Sequence, residues 1–550
     1  MSRTGAQILV DQLVLHGVET AFCIPGESYI AVLDALRDAP IRLVVARHEA
    51  GAANMADAQG KLSGKPGICF VTRAPGATHA SVGVHAAYQD STPLILFVGQ
   101  VPRAHRGREA FQELDYGRMY GEMAKWVVEV EDASAFPEIA ARAFQIATSG
   151  RPGPVVVALP EDVLGEEADV PDARRYRAAT PAAGADDVRR IRELLAGAER
   201  PLVVVGGGGW SARAAADLQA WAEASQLPVA TSFRRQDYLD NTSSSYAGVL
   251  TIGHDPSLAE RLRGCDVLLA LGTRLGEIPT RGYTTLKPPR IEQTLIHVHA
   301  EPGELGRVYE PDLPVVAGSP ELLAALRELE PLDGSRWSGW TRAAHDGFLA
   351  WLNHRPEAGP LDLATVLAHL RERLPADAVV TNGAGNFTVW LHRFYTFRRY
   401  HTQLAPCSGA MGYGLPAAVA AKVLEPERMV VCVAGDGDFL MSGHELAAAA
   451  QEGAPIVVLL ANNGMYGTIR MHQERQFPGR VHGTDLANPD FVALAQAYGA
   501  HAELVERNAD FPDAFERALA AGRPAVLELR LDAEAITPQT TLSAIRAGAA

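Results

Sequence analysis

A chain of 550 residues is too long for one ordinary domain and divides into roughly three or four. With 47% hydrophobic and 21% charged residues it is a soluble globular protein with a large core, in which disorder is expected only in linkers and at the C-terminal tail. A net charge of -15 excludes a broad nucleic-acid or anionic-membrane surface, which needs clustered Lys and Arg, so small molecules are the expected partners.

The first stretch, MSRTGAQILVDQLVLHG, reads as an amphipathic helix rather than a signal peptide or membrane span, which makes the cytoplasm the default location. Residues 1–165 then alternate helical segments with the apolar strands IRLVVARH, GICFVT, PLILFVG and PGPVVVALP, the pattern of a parallel sheet covered on both faces. A polar segment rich in Pro and Ala follows as a linker. A second unit, 186–330, carries PLVVVGGGG, LPVATS, CDVLLALG and TLIHVHAEP, and 331–360 is irregular in pattern. A third unit, 361–535, carries AVVTNG, MVVCVAG, PIVVLLANN and PAVLELRL. The expected fold class is α/β, with three doubly wound parallel-sheet domains. Cys23, Cys69, Cys265, Cys407 and Cys432 include no CxxC pair, so free core thiols are expected and a zinc site or disulfide framework is not.

In the third unit CVAGDGDFL sets Asp436 directly after a buried strand, a poor place for a charge unless it faces a cation. The next strand ends at Asn462 and Asn463. If the two strands are parallel, Asp436 and Asn463 emerge together at the carboxyl edge of the sheet, where open α/β folds bind ligands. A carboxylate, a side-chain amide and nearby carbonyls are hard oxygen donors that suit Mg²⁺ or Ca²⁺. A phosphate is expected alongside, with Gly437 allowing close approach and the GMYGTI turn offering N–H groups at a helix start. Either turn alone is explained by the tolerance of Gly and Asn for left-handed geometry. The pair, with a helix and strand between, is the stronger signal.

GDG…NN resembles the motif of thiamine diphosphate (ThDP) enzymes, and the resemblance extends over nearly the whole chain. It implies Asp436, Asn463 and the Met465 carbonyl as Mg²⁺ ligands, and Gly437, Asp438, Tyr466 and Gly467 as neighbours of the diphosphate. By the same resemblance Gly385 and Asn386, in TNGAGNF, contact the diphosphate. Glu49, in VVARHEAG, falls at the position of the acid that protonates N1′ of the aminopyrimidine, a task eased by an apolar pocket. In APCSGAMGYGLP, Gly409 supplies the carbonyl for the 4′-amino group and Met411 the wedge that bends the cofactor. The family builds each site between two subunits, which implies a homodimer or homotetramer.

Within the family the chain is most similar to acetolactate synthase large subunits: PGES resembles PGGA, APGATH resembles GPGATN, and EAFQELD resembles DAFQE. This implies 2-keto acid decarboxylation with carboligation, with Phe111 and Gln112 on the site wall. Several residues depart from that pattern. Glu27 and Ser28 replace a Gly-Ala pair beside the reacting carbon and join Glu49 and Gln112 as candidate catalytic residues. His472 stands in the place of the acceptor-selecting tryptophan, Thr72 in that of a catalytic histidine of benzoylformate decarboxylases, and Ile278 in that of the acceptor-binding arginine, although Arg274 is retained. Losing a guanidinium clamp weakens the case for a 2-keto acid acceptor. A non-ligating decarboxylase, an aldehyde lyase and a diketone hydrolase remain alternatives. Gly207, Gly209 and Ala212 form a GxGxxA turn in the central unit without the acidic residue that should follow the next strand. FAD binding and a spacer role both stay open there, and a flavin or nicotinamide oxidoreductase is the reading from a different class.

Overall fold

The computed structural model describes residues 2–353 and 360–548. The chain forms two compact units. The first comprises Met1–Ala179 with Pro406–Pro426 and Ser442–Ala454, and the second Thr180–Ala405 with Glu427–Met441 and Pro455–Ala550.

In the first unit a six-stranded parallel sheet runs in the order Arg42–Val45, Thr20–Cys23, Gly67–Val71, Leu94–Gln100, Pro154–Pro160, Trp126–Glu129. Its central strands are buried end to end, the signature of a sheet covered on both faces. The helix Gly5–Leu15, started by a Thr4–Gln7 capping box, packs on Phe136–Thr148 on one face. On the other, Glu49–Ser63 packs on Ala74–Asp90 and on Gly414–Leu424. Buried polar groups pin that last helix. Lys61 Nζ lies 2.7 Å from both Asp57 and Asp90 and 3.0 Å from the Tyr413 hydroxyl, Tyr413 donates to Asp57 at 2.6 Å, and the Cys407 N–H donates to Asp90 at 2.7 Å. Burial pushes the Asp57 carboxyl up, against the opposing pull of Lys61.

The second unit holds two more six-stranded parallel sheets. One runs Tyr246–Val249, Val229–Thr231, Pro201–Val205, Val267–Leu271, Thr294–His299, Leu313–Val316. The other runs Gln403–Leu404, Val379–Asn382, Val430–Gly435, Val457–Asn462, Ala525–Arg530, His501–Val505. The three α/β sheets expected from the sequence are present, each wider by two strands than the apolar runs indicated. Apart from Thr20–Cys23, the added strands are all outer ones.

Three expectations are corrected. Residues 331–360, read as irregular, contain the helix Ser338–Leu352, which buries only Thr341, Ala344 and Phe348 and packs on Tyr246–Val249. The tail is ordered through residue 548. Ile536, Leu542 and Ile545 cluster with Met465 and Met471, and Arg546 makes two bonds to Glu474, at 2.7 and 3.0 Å. The one helix expected between the Asp436 and Asn463 turns is a short turn, Gly443–Glu445, followed by Leu446–Gln451, with a separate helical turn Asp436–Leu440 before it. The five cysteines are free, and among the described residues no helix is long and apolar enough to cross a membrane.

Candidate active site

In the last sheet Gly435 pairs in register with Ala461, so Asp436 and the Asn462-Asn463 pair leave the sheet at the same level of its carboxyl edge. The two turns are joined directly. Asp436 Oδ2 accepts from the Gly464 N–H at 2.9 Å and from Asn488 Nδ2 at 2.8 Å, while Oδ1 accepts from the Gly437 N–H at 2.9 Å. Despite these donors, burial raises the pKa of Asp436 above the ordinary carboxylate value. A buried carboxylate held this way gains most from a cation, so the donor chemistry fits Mg²⁺. Asn463 Oδ1 accepts from the Met465 N–H at 3.3 Å. The bridge between Met465 and Asp485 is made by the Gly464 carbonyl and the Tyr466 N–H, which leaves the Met465 carbonyl out of the pairing.

Around this edge the remaining diphosphate candidates divide into two groups. Gly437 lies under the Tyr466 ring, where a Cβ would come within 2.6 Å of it, and Gly467 opens the helix Gly467–Gln476. Gly437→Ala should therefore displace Tyr466 and weaken ThDP binding about tenfold, or ~1.4 kcal/mol, with the fold kept, as calorimetry would read. Asp438 and Asn386 are used differently: Asp438 Oδ1 accepts from the Ala384 N–H at 3.1 Å. Asn386 accepts from Thr468 at 2.8 Å and donates to the Ile536 carbonyl at 2.9 Å. Both side chains hold the turn at Gly385, whose φ of 152° favours glycine.

In the first unit Glu49 begins the helix Glu49–Ser63, and its side chain is 13% exposed. Its Oε2 lies 2.9 Å from His79 Nδ1, and the His79 ring stacks on His48 at 4.5 Å between centroids. Burial, and next His79, lower the pKa of His48, whose Nδ1 accepts from the Ala50 N–H. Beneath them Glu445 is fully buried and accepts from the N–H groups of Arg47 and His48 at 3.0 to 3.1 Å. A Cβ on Gly51 would overlap its carboxylate, so the glycine admits it.

Burial raises the Glu445 pKa from 4.5 to about 7. The folded state thus holds a proton that the unfolded state releases near pH 4.5, and stability from this group falls as pH rises from about 4.5 to 7, by on the order of 3 kcal/mol. Glu445→Gln should flatten that part of the thermal-unfolding profile.

Gly409 is exposed at φ 69°, and Met411 is half-buried rather than part of the core. Ser28 is buried with its hydroxyl 3.0 Å from that of Thr72, whereas Glu27 is exposed. Gln112 adopts φ 63° and its carbonyl oxygen accepts from the Ala74 N–H at 3.3 Å. His472 is exposed, and Arg274 and Ile278 are half-buried. In the central sheet, Trp210 is buried over the Gly207–Ala212 turn and donates to the Gly206 carbonyl at 2.9 Å. The partners His79, Glu445 and Asn488 were not singled out from the sequence. Of these, only His79 stood inside a quoted motif.

A carboxyl sheet edge with a buried acid, a joined Asn turn and a half-buried helix start flanked by glycines suits an α/β enzyme for a phosphate-bearing cofactor. Residues 3–119 match the thiamine pyrophosphate enzyme N-terminal TPP binding domain, 188–326 the central domain and 383–529 the C-terminal TPP binding domain. The chain belongs to the thiamine pyrophosphate enzymes and is a ThDP-dependent enzyme. It is similar to the acetolactate synthase isozyme 2 large subunit of Escherichia coli (strain K12), 32% identical over 535 residues, covering 96% of this chain and 95% of that one. The probable acetolactate synthase large subunit of Methanocaldococcus jannaschii is 30% identical over 552 residues, covering 97% and 93%. That of Parasynechococcus marenigrum (strain WH8102) is 33% identical over 518 residues, covering 90% and 82%.

Proposed function

We propose that the protein decarboxylates a 2-keto acid and ligates the remaining acyl carbon to a carbonyl acceptor, using ThDP and Mg²⁺. The observation that carries this reading is the joining of Asp436 to the Asn463 turn at the sheet edge, a cation and diphosphate site built from hard oxygen donors. When bound, ThDP supplies a carbon nucleophile able to add to the keto group and accept the electrons released with CO₂. The chain's own residues bind, orient and move protons. Asp436, Asn463 and the Met465 carbonyl hold the cation, Gly437, Tyr466 and Gly467 border the diphosphate, and Asp438 and Asn386 shape the turn at Gly385. Glu49 exchanges a proton with N1′, while Gly409 and Met411 orient the aminopyrimidine. Gln112, Ser28 and Glu27 face the substrates.

The enzyme acts in this reading as a cytoplasmic homodimer or homotetramer with sites shared between subunits. Incubation with a panel of 2-keto acids, ThDP and Mg²⁺ tests it: CO₂ release with carboligation products is expected, and no CO₂ from any keto acid would overturn it. Aldehyde without ligated product would instead identify a non-ligating decarboxylase. Flavin absorbance in the purified protein decides whether the central domain carries FAD.

A further inference from the structure

Four neighbouring strands of the first sheet, Thr20–Cys23, Gly67–Val71, Leu94–Gln100 and Pro154–Pro160, end on one polar cluster. Arg73 follows the second of them, is 10% exposed at its side chain, and pairs closely with Glu161, which follows the fourth. Glu27, after the first, is 70% exposed and lies 3.8 Å from the same guanidinium. Gly99, on the third, admits the neighbouring Ser28, because any Cβ there would overlap its hydroxyl. Glu161 anchors Arg73 and neutralises it, so the charge left facing outward is the Glu27 carboxylate.

The hydrogen-bonding character agrees with the charge. Gln112, tied to Ala74 beside Arg73, carries a buried Oε1 with no partner among the described residues, and Glu27 presents a carboxylate. These acceptors call for O–H or N–H donors, the Gln112 amide nitrogen being itself a side-chain donor beside them. A substrate carboxylate has only acceptors and would bring a third anion to one guanidinium. An uncharged compound bearing a hydroxyl supplies the donors and avoids the repulsion.

We propose that Glu27 determines acceptor specificity, with Arg73 as its positioning residue, and that the second substrate is an uncharged, hydroxyl-bearing carbonyl compound rather than a 2-keto acid. The inference rests on the carboligase reading, but its test is a binding measurement that needs no turnover. Glycolamide and glycolate, which share shape and hydroxyl but differ in charge, are titrated by NMR into the ThDP- and Mg²⁺-loaded enzyme. Glycolamide is expected to bind at least about tenfold tighter. Glu27→Gln should shrink that ratio by about tenfold, mainly by tightening glycolate. Arg73→Lys should keep the ratio, and Arg73→Met should weaken both ligands, glycolate at least as much as glycolamide, because Glu161 and Glu27 lose their shared cation. Equal or tighter binding of glycolate to the native enzyme, no binding of either ligand, or an unchanged ratio in Glu27→Gln would overturn the proposal. A failure of CO₂ release would count against the carboligase reading alone.

Discussion

Glu49→Gln should lower turnover about a thousandfold while leaving ThDP and Mg²⁺ affinity within a few-fold of the native value. The amide keeps the shape of the carboxyl and can still accept from His79 Nδ1, but it cannot give or take a proton. Its cost to the fold is small, because Glu49 contributes mainly an interaction between its charge and the start of Glu49–Ser63, worth about 0.3 to 1 kcal/mol. Steady-state CO₂ release and calorimetric cofactor titration separate the two effects. Turnover at the native rate would show that another acid performs this step, and joint loss of binding and turnover would show that Glu49 is a binding residue.

Asp436→Asn should act in the opposite sense. It removes the Asp436 charge and leaves one acceptor oxygen where two serve now, so either the Gly437 N–H or the Gly464 N–H and the Asn488 amide lose their acceptor. Loss of affinity for ThDP with Mg²⁺ by at least a hundredfold, about 2.7 kcal/mol, is expected. Without cofactor the variant should stay within about 1 to 2 kcal/mol of the native protein, since relief of the burial penalty on the charge offsets a donor left without its acceptor. Thermal unfolding with and without saturating cofactor reads both: the apo midpoint moves little, and the cofactor-induced shift largely disappears. A native-sized shift would remove Asp436 from the metal site.

Asp436 was legible because it directly follows a strand and Glu49 through the resemblance of VVARHEAG to the family motif, and the interior strands were legible as near-continuous apolar runs. The outer strands were not. Leu313–Val316 and His501–Val505 are only partly buried, the first being four residues interrupted by Pro314 and the second mixing polar with apolar residues. Thr20–Cys23 escaped for another reason, being four residues long and close behind a helix. The helix Ser338–Leu352 hid because it needs only Thr341, Ala344 and Phe348 inside, too sparse a stripe to stand out among Gly, Trp and His. Partners escaped where distance along the chain separates them: Glu445 lies nearly four hundred residues from the His48 N–H it accepts, and Asn488 fifty-two from Asp436. Motif spacing reports what one turn holds, whereas these contacts depend on how sheets and helices stack.

The buried set of Lys61, Asp57, Asp90, Tyr413 and the Cys407 N–H has a meaning for biogenesis. Its acids and lysine are synthesised early and its remaining members more than three hundred residues later. The first unit therefore waits, with two carboxylates and an ammonium lacking their final neighbours, until residues 406–454 have left the ribosome. Domains generally fold as they emerge, amino-terminal end first. Here the amino-terminal sheet can form on that schedule, but its completion is tied to the far end of the message. A fragment ending at residue 179 should consequently be less stable than its sheet suggests, and a nonsense mutation anywhere before residue 406 would spoil the beginning of the protein as well as its end.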